Sequence, residues 1–197
     1  LTPRYMGVAI EGIKIEPSPL WLQLALTKLG IRPINNIVDI TNYMMSITAQ
    51  PMHAFDYEKV SQKGGASQII VRNAKKDETL TIIGGKTIKL DPTDIVIADP
   101  TQALALGGVM GGADSEISDS TTKIILESAV FDMYAARRTS MRHGLFSEAV
   151  TRFTKGQNYY QTAPVLAEAI KMIQDLLPEV KISTVSDVGA KIDHRPI

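Results

Sequence analysis

Apolar residues recur along this chain with two different periods. From Tyr5 the stretch YMGVAIEGIKIE alternates around Gly7 and Gly12, which predicts a strand pair or one bent strand. The following PSPLWLQLALTKLG predicts a helix, with Ser18 as N-cap, Pro19 at its first position and Leu20, Leu24 and Leu26 near helical spacing. Gly30 ends it. A second helix is predicted from Asn36 to Met45, with Ile37, Ile40, Met44 and Val38 facing a core.

Between Gln68 and Ala98 the pattern changes to short β-branched runs, QIIVRNA, TLTIIGGKTIKL and DIVIAD, and Gly84-Gly85 marks a hairpin. Two more strands follow: ALALGGVMGG, which ends in paired glycines, and KIILESAVF, which carries Glu127. Residues from Asp132 to His143 read as a basic helix with Arg137, Arg138 and Arg142. An amphipathic helix from Tyr160 to Leu177 is stopped by Pro178, and VKISTVSDV reads as a closing strand. Helices at both ends with runs of strands between them give an α+β class rather than a doubly wound α/β fold. No repeat or linker divides the chain.

At 197 residues the chain is long enough for a substantial core. Lys+Arg and Asp+Glu are both 21, so no global field is available to hold a polyanion by counterion release. Cysteine is absent, which excludes disulfides and thiolate metal sites and fits a reducing compartment. No apolar run reaches the ~18 to 20 residues of a membrane span. The chain begins at Leu1 without an initiator methionine or a signal-like segment, and is read as a fragment of something longer.

Four places depart from ordinary structural patterning. AQPMHAFD sets His53 in an apolar run closed by Asp56, where a packed histidine is the usual reading. GGVMGG, residues 107 to 112, removes side chains at a strand end, but lacks the lysine and Ser/Thr of a phosphate loop. Glu127 lies in a run apolar enough to be buried, so it either pairs with an arginine such as Arg137 or Arg138, or lines a pocket and binds something. RRTSMRHGLFSEAVTRFTKG, residues 137 to 156, reads first as a solvated basic face; Ser147 and Ala149 beside Phe146 are candidates for a pocket wall. The three histidines, at 53, 143 and 194, lack metal-site spacing, and no G-x-S-x-G elbow occurs.

Taken in order, RPINNIVDITNY, QPMHAFD, GGVMGG, LESAVF and RRTSMRHGLFSEAVTRFTKG resemble the editing modules of bacterial phenylalanyl-tRNA synthetase β subunits. The likeness includes the opening PRYMGVAIEGIKIEPSP and the exit SDVGAKIDHRPI. It implies two facing, mostly antiparallel sheets with helices on an outer face, and one module over residues 1 to 197 in which two sub-domains interleave. It also implies hydrolysis of tyrosine mis-attached to the tRNA for phenylalanine. The implied partners are that acceptor end and the synthetase α subunit, in a cytoplasmic enzyme of two α and two β subunits. No cofactor is expected in this module, ATP and Mg2+ being bound elsewhere in the full enzyme. By matching motifs, His53 falls at the ester end of the pocket and Asn42 helps to place the attacking water. Glu127 and the Gly111 N–H recognise the tyrosine hydroxyl, and Ser147 and Ala149 form the wall. A histidine in that role, with an ordinary pKa of about 6.5, would make hydrolysis fall as the imidazole becomes charged.

Overall fold

The computed structural model describes residues 1–61 and 68–189. Its strands are β1 (Arg4–Glu11), β2 (Met52–Asp56), β3 (Ile70–Asn73), β4 (Thr79–Thr81), β5 (Thr87–Lys89), β6 (Ile95–Ala98), β7 (Ala103–Leu106), β8 (Met110–Gly111), β9 (Lys123–Val130), β10 (Lys181–Ile182) and β11 (Ser186–Gly189). The helices are α1 (Leu20–Lys28), α2 (Asn36–Thr48), α3 (Tyr57–Ser61), α4 (Met133–His143), α5 (Glu148–Phe153) and α6 (Thr162–Leu176).

The strands form a five-stranded sheet in the order β10-β1-β9-β2, with β11 also on β1, a four-stranded sheet β3-β6-β7-β8, and the hairpin β4-β5. Pairing is antiparallel throughout the described residues. Successive side chains of a strand point to opposite faces, and both faces of the larger sheet are covered. Val8, Ile10, Ile124 and Leu126 pack with Leu22, Leu26, Ile37, Ile40, Met44, Leu166 and Ile173 in a core on the helix side. Phe55, Ile125 and Ala129 pack with Ile95, Ile97, Leu104 and Leu106 of the smaller sheet, and Ala136, Val150 and Phe153 of α4 and α5 close that second core. The layers are helix, sheet, sheet. Each fully buried Ile or Leu contributes about 1.5–3 kcal/mol, so two cores sharing β9 bind the three layers into one unit.

Several local expectations change. Ser18 does not cap α1: its hydroxyl donates instead to buried Asp39 Oδ2 at 2.6 Å, and Pro19 takes the cap position without a side-chain bond. The buried face of α1 is Leu22 and Leu26, while Leu20 and Leu24 are 70% and 50% exposed. The helix meets its core with one narrow stripe, and the other leucines face out. Helix α2 runs on to Thr48, with Asn35 as its N-cap accepting from the Val38 N–H at 2.9 Å. Of YMGVAIEGIKIE only the part up to Glu11 is strand, in β1, which ends where Gly12 adopts φ +85°. The closing strand divides into β10 and β11, both on β1, and Ser183 N–H between them bonds Ala9 O at 2.9 Å. The strand β2, the short helices α3 and α5, and a 3-10 turn at Ala113–Ser115 went unread. Gly84-Gly85 does turn the β4-β5 hairpin, both at positive φ.

Gly112 shows why the strand of glycines is needed. A Cβ there would lie 2.2 Å from Leu104 O, an atom of the neighbouring backbone that already accepts the Gly112 N–H. At Gly7 a Cβ would meet Tyr5 and Ile125 at an ordinary 3.8 and 3.9 Å. Gly112→Ala is therefore expected to destabilise the fold by about 2 kcal/mol or more, whereas Gly7→Ala stays within about 1 kcal/mol of the parent. Urea denaturation of both variants checks this, and equal midpoints would refute it.

Candidate functional site

Register creates the site. Helix α2 ends at Ala49, in the left-handed region at φ 60°, and buried Gln50 then donates from Nε2 to Pro51 O and to Ala129 O at 3.0 and 2.9 Å. That clamp sets β2 against β9, so that His53 pairs with Glu127, Phe55 with Ile125 and Met52 with Ser128. By alternation His53 and Glu127 share the face that looks at the smaller sheet. Opposite them stands Gly111 on β8. A Cβ on Gly111 would lie 2.8 Å from His53 Cε1 and 2.8 Å from Ile83 Cδ1, so the missing side chain is the space those two groups occupy.

These residues line a cavity of about 70 Å³ together with Pro51, Met110, Ala149 and Phe153. It holds less than the ~150 Å³ of an apolar cavity known to take benzene, so an aromatic side chain requires it to open. A larger cavity of about 710 Å³ lies beyond Tyr5, lined mainly by Gly7, Ile69, Val71, Ile125 and Val188. Volume favours the larger space as a ligand site. Chemistry favours the smaller, where a buried carboxyl and a buried imidazole converge.

Burial governs both groups. It pushes Glu127 up to about 7 against a hydrogen bond from the Tyr5 hydroxyl at 2.7 Å, which favours the charged form. It pushes His53 down to about 4, so the imidazole is neutral at neutral pH. The expectation of a histidine titrating near 6.5 is thereby corrected. His53 Nε2 is sealed and has no hydrogen-bond partner among the described residues, and the ring stacks edge-on against Phe55 at 4.4 Å between centroids.

Of the candidate residues, His53, Gly111, Glu127 and Ala149 come together on this cavity. Ser147 stands just behind the wall: it caps α5 by accepting from Val150 N–H at 3.1 Å, and its hydroxyl donates to the O of Val109, a lining residue, at 2.9 Å. Asn42 sits half-buried on α2 and is not among the lining residues. Arg137 and Arg138 are exposed and do not pair with Glu127. Arg142 bonds Asp94 at 2.5 Å and Arg152 bonds Glu148 at 2.6 Å, which ties down part of the basic run. His143 bonds buried Asp94 at 2.7 Å, a structural clamp on the end of α4, and His194 lies outside the described residues. No group of three or more potential metal ligands occurs among the described residues. No helix there is long and apolar enough to cross a membrane. Sequence reasoning missed Tyr5, whose alternation with Gly7 places it on the cavity side only once β1 is registered on β9.

The described residues form a mixed α+β sandwich of helices and two antiparallel sheets, with a small cavity between the sheets that carries one carboxyl and one imidazole. The chain belongs to the B3/4 domain family, whose model matches residues 1–178. It is similar to phenylalanine–tRNA ligase β subunits, at 43% identity over 99% of the chain in Solibacter usitatus and 44% over 89% in Lactobacillus johnsonii. With that of Symbiobacterium thermophilum it is 50% identical over 79% of the chain. These are the proteins to which the motifs pointed. The chain spans 24%, 21% and 17% of those relatives' lengths. Its fold is similar to an N-terminal fragment of the Pyrococcus horikoshii phenylalanyl-tRNA synthetase β subunit, with a TM-score of 0.58 at 10% identity, over 92% of this chain and 46% of that one. The mixed α+β architecture with antiparallel sheets agrees with that likeness.

The two shifts oppose each other in stability. Glu127 holds a proton in the folded chain that the unfolded chain releases above 4.5, so its contribution is full below 4.5 and lost as pH rises through about 7. For His53 the contribution is full above 6.5 and lost as pH falls through about 4. Glu127→Gln is expected to leave stability near pH 4.5 close to the parent's and to raise it at pH 8 by up to about 3 kcal/mol. Thermal unfolding across that range measures it; a pH-independent difference would overturn the assignment.

Proposed function

We propose that this chain is the proofreading module of a phenylalanine–tRNA ligase β subunit, which hydrolyses the ester of tyrosine mis-attached to the tRNA for phenylalanine. The observation that carries the reading is Glu127, a carboxyl buried between two sheets and facing a cavity cleared by Gly111. A tyrosine hydroxyl donating to the second oxygen of that carboxyl is recognised by a charge-assisted bond, whereas phenylalanine leaves that oxygen unpaired and desolvated. An apolar pocket rejects an added hydroxyl only weakly, so a second site that demands the hydroxyl is an effective sieve. The ester is activated by its ribose, and a positioned water suffices for its cleavage. The neutral His53 offers an imidazole nitrogen to that water.

Under this reading Ala149 and Ser147 form the wall and shape it from behind, and Asn42 orders the water, an assignment that rests on its motif. The 1–197 segment is one editing unit of two interleaved sub-domains, without a cofactor of its own. ATP, Mg2+, the α subunit and most of the grip on tRNA belong to the rest of a cytoplasmic ligase. A neutral net charge is consistent with that division.

Single-turnover deacylation of Tyr-tRNA and Phe-tRNA by the full ligase tests the proposal. The parent is expected to cleave the tyrosyl ester selectively. Glu127→Ala should erase the preference more than it changes the basal rate, and Gly111→Leu should block editing. His53→Ala should slow tyrosyl hydrolysis by about 10²- to 10⁴-fold. Because His53 stays uncharged well below neutrality, the parent profile between pH 5.5 and 8.5 should lack an imidazole limb. Its preference for the tyrosyl ester should instead grow as pH rises through about 7, where Glu127 ionises. Equal hydrolysis of both esters by the parent would sink the proposal.

A further inference from the structure

Glu127 already carries a phenol. The Tyr5 hydroxyl donates to its Oε2 at 2.7 Å from the neighbouring strand β1. Register explains the reach: Gly7 pairs with Glu127, and the Tyr5 ring lies over Gly7, with Cε1 3.8 Å from where a Cβ would stand. A Cβ at position 7 would only touch the ring, whereas a branched side chain such as valine would extend into the lane through which the ring crosses to the next strand. Tyr5 also lines the large cavity while Glu127 lines the small one, so the hydrogen bond runs through the partition between them. The other carboxylate oxygen, Oε1, has no hydrogen bond among the described residues and is not one of the sealed, partnerless polar atoms.

We infer that Tyr5 is a positioning residue of this site: its hydroxyl holds one oxygen of Glu127 and leaves the other directed to the cavity as the acceptor for a substrate hydroxyl. The inference rests on the reading given under Proposed function. Three physical points support it. A carboxylate that accepts one donor loses rotational freedom about its last bond, so the second acceptor site is preorganised. The donor direction is fixed, because burial and the adjacent carboxylate keep the Tyr5 phenol protonated. The bond also favours the ionised carboxylate, the stronger acceptor for an incoming hydroxyl. The groups that face Glu127 are few. Tyr5 comes from β1 and His53 from β2, while the smaller sheet presents Ile97, Ala105, Met110 and Gly111, and α5 presents Ala149 and Phe153. Tyr5 is thus the nearest titratable neighbour shown to bond the carboxyl.

The test is Tyr5→Phe in the full ligase, which keeps the ring over Gly7 and deletes one donor. Single-turnover hydrolysis of Tyr-tRNA at pH 7 is expected to fall by about tenfold, the equivalent of one ordinary hydrogen bond. Hydrolysis of Phe-tRNA, which brings no hydroxyl to Glu127, should fall less. The pH midpoint for the tyrosyl ester should move upward, so that the loss shrinks towards pH 9. A merely structural tyrosine would lower both esters together at every pH, and that result, or a parent-like rate and midpoint, would overturn the inference. Gly7→Val, which crowds the ring out of its lane, should reproduce the tyrosyl defect if Tyr5→Phe proves poorly folded. If the parent cleaves neither ester, the functional reading fails by itself, and the positioning role is then decided without substrate. The Glu127 carboxyl, followed by carbon NMR, should titrate at higher pH in Tyr5→Phe than in the parent, and identical midpoints would refute the inference.

Discussion

The geometry around the cavity depends on β9, because that strand is buried on both faces and pairs on both edges. Ile124 and Leu126 point to the helices, whereas Ile125, Glu127 and Ala129 point to the second sheet. A slip of one residue against β1 or β2 would exchange the two sets and drive Glu127 into the helix-side core. An unpaired carboxyl there costs several kcal/mol, which makes the register steep in energy. Both ends of the pairing are fastened. The Gln50 amide ties the entry of β2 to Ala129 O, and the Gly12 and Ile13 N–H groups both bond Thr122 O at 3.0 and 2.9 Å. The same constraint that holds the fold therefore sets His53 and Glu127 on one rung, with Tyr5 two residues along on the same face.

Periodicity disclosed the elements but not who they meet. Ile37, Ile40 and Met44 face a core as their spacing requires, since an amphipathic stripe carries its own direction. Helix α1 misled because leucine was taken as a marker of burial, and two of its leucines are on the surface. Ser18 misled for a related reason: a hydroxyl before a helix is a cap by local rules, but Asp39, 21 residues on, is a stronger acceptor in a buried setting. Glu127 was recognised as an anomaly in an apolar run, and its choice between an arginine and a pocket was undecidable locally. The answer, a tyrosine from the first strand, is a contact across 122 positions of sequence. The lowered pKa of His53 was hidden in the same way, because desolvation belongs to the packed state and not to the tetrapeptide around the residue.

The size of the cavity bears on how it opens. About 70 Å³ does not admit a phenol ring, and the mouth is crowded by Ile83, which leans on Gly111 from beside the hairpin turn at Gly84-Gly85. Ile83 is partly exposed, so its side chain can turn, whereas the β4-β5 hairpin is held to β8 by the Ile83 N–H on Gly111 O at 3.0 Å and to the core by Leu80, Ile82 and Ile88. Movement of that side chain is less costly than movement of β9, which two cores hold. Turning the Ile83 side chain away from Gly111 would leave the His53–Glu127 register intact.

A count of donors and acceptors gives the site its direction. The sealed Nε2 of His53 lacks a partner among the described residues, and at neutral pH Glu127 is near the midpoint of its titration with one oxygen already bonded by Tyr5. The shifts of the two groups both move them towards neutrality, so burial prevents them from forming an ion pair although they occupy paired positions. The pocket thus has unfilled capacity at two polar groups, while its remaining lining is largely apolar. A ligand that brings a phenol to one end and a water to the other supplies what these groups lack. A phenyl ring supplies only apolar surface, and leaves the carboxyl as desolvated as before. Under the proposed function, selectivity for a hydroxylated ring would follow from that imbalance, with no need for a tighter fit around the ring itself.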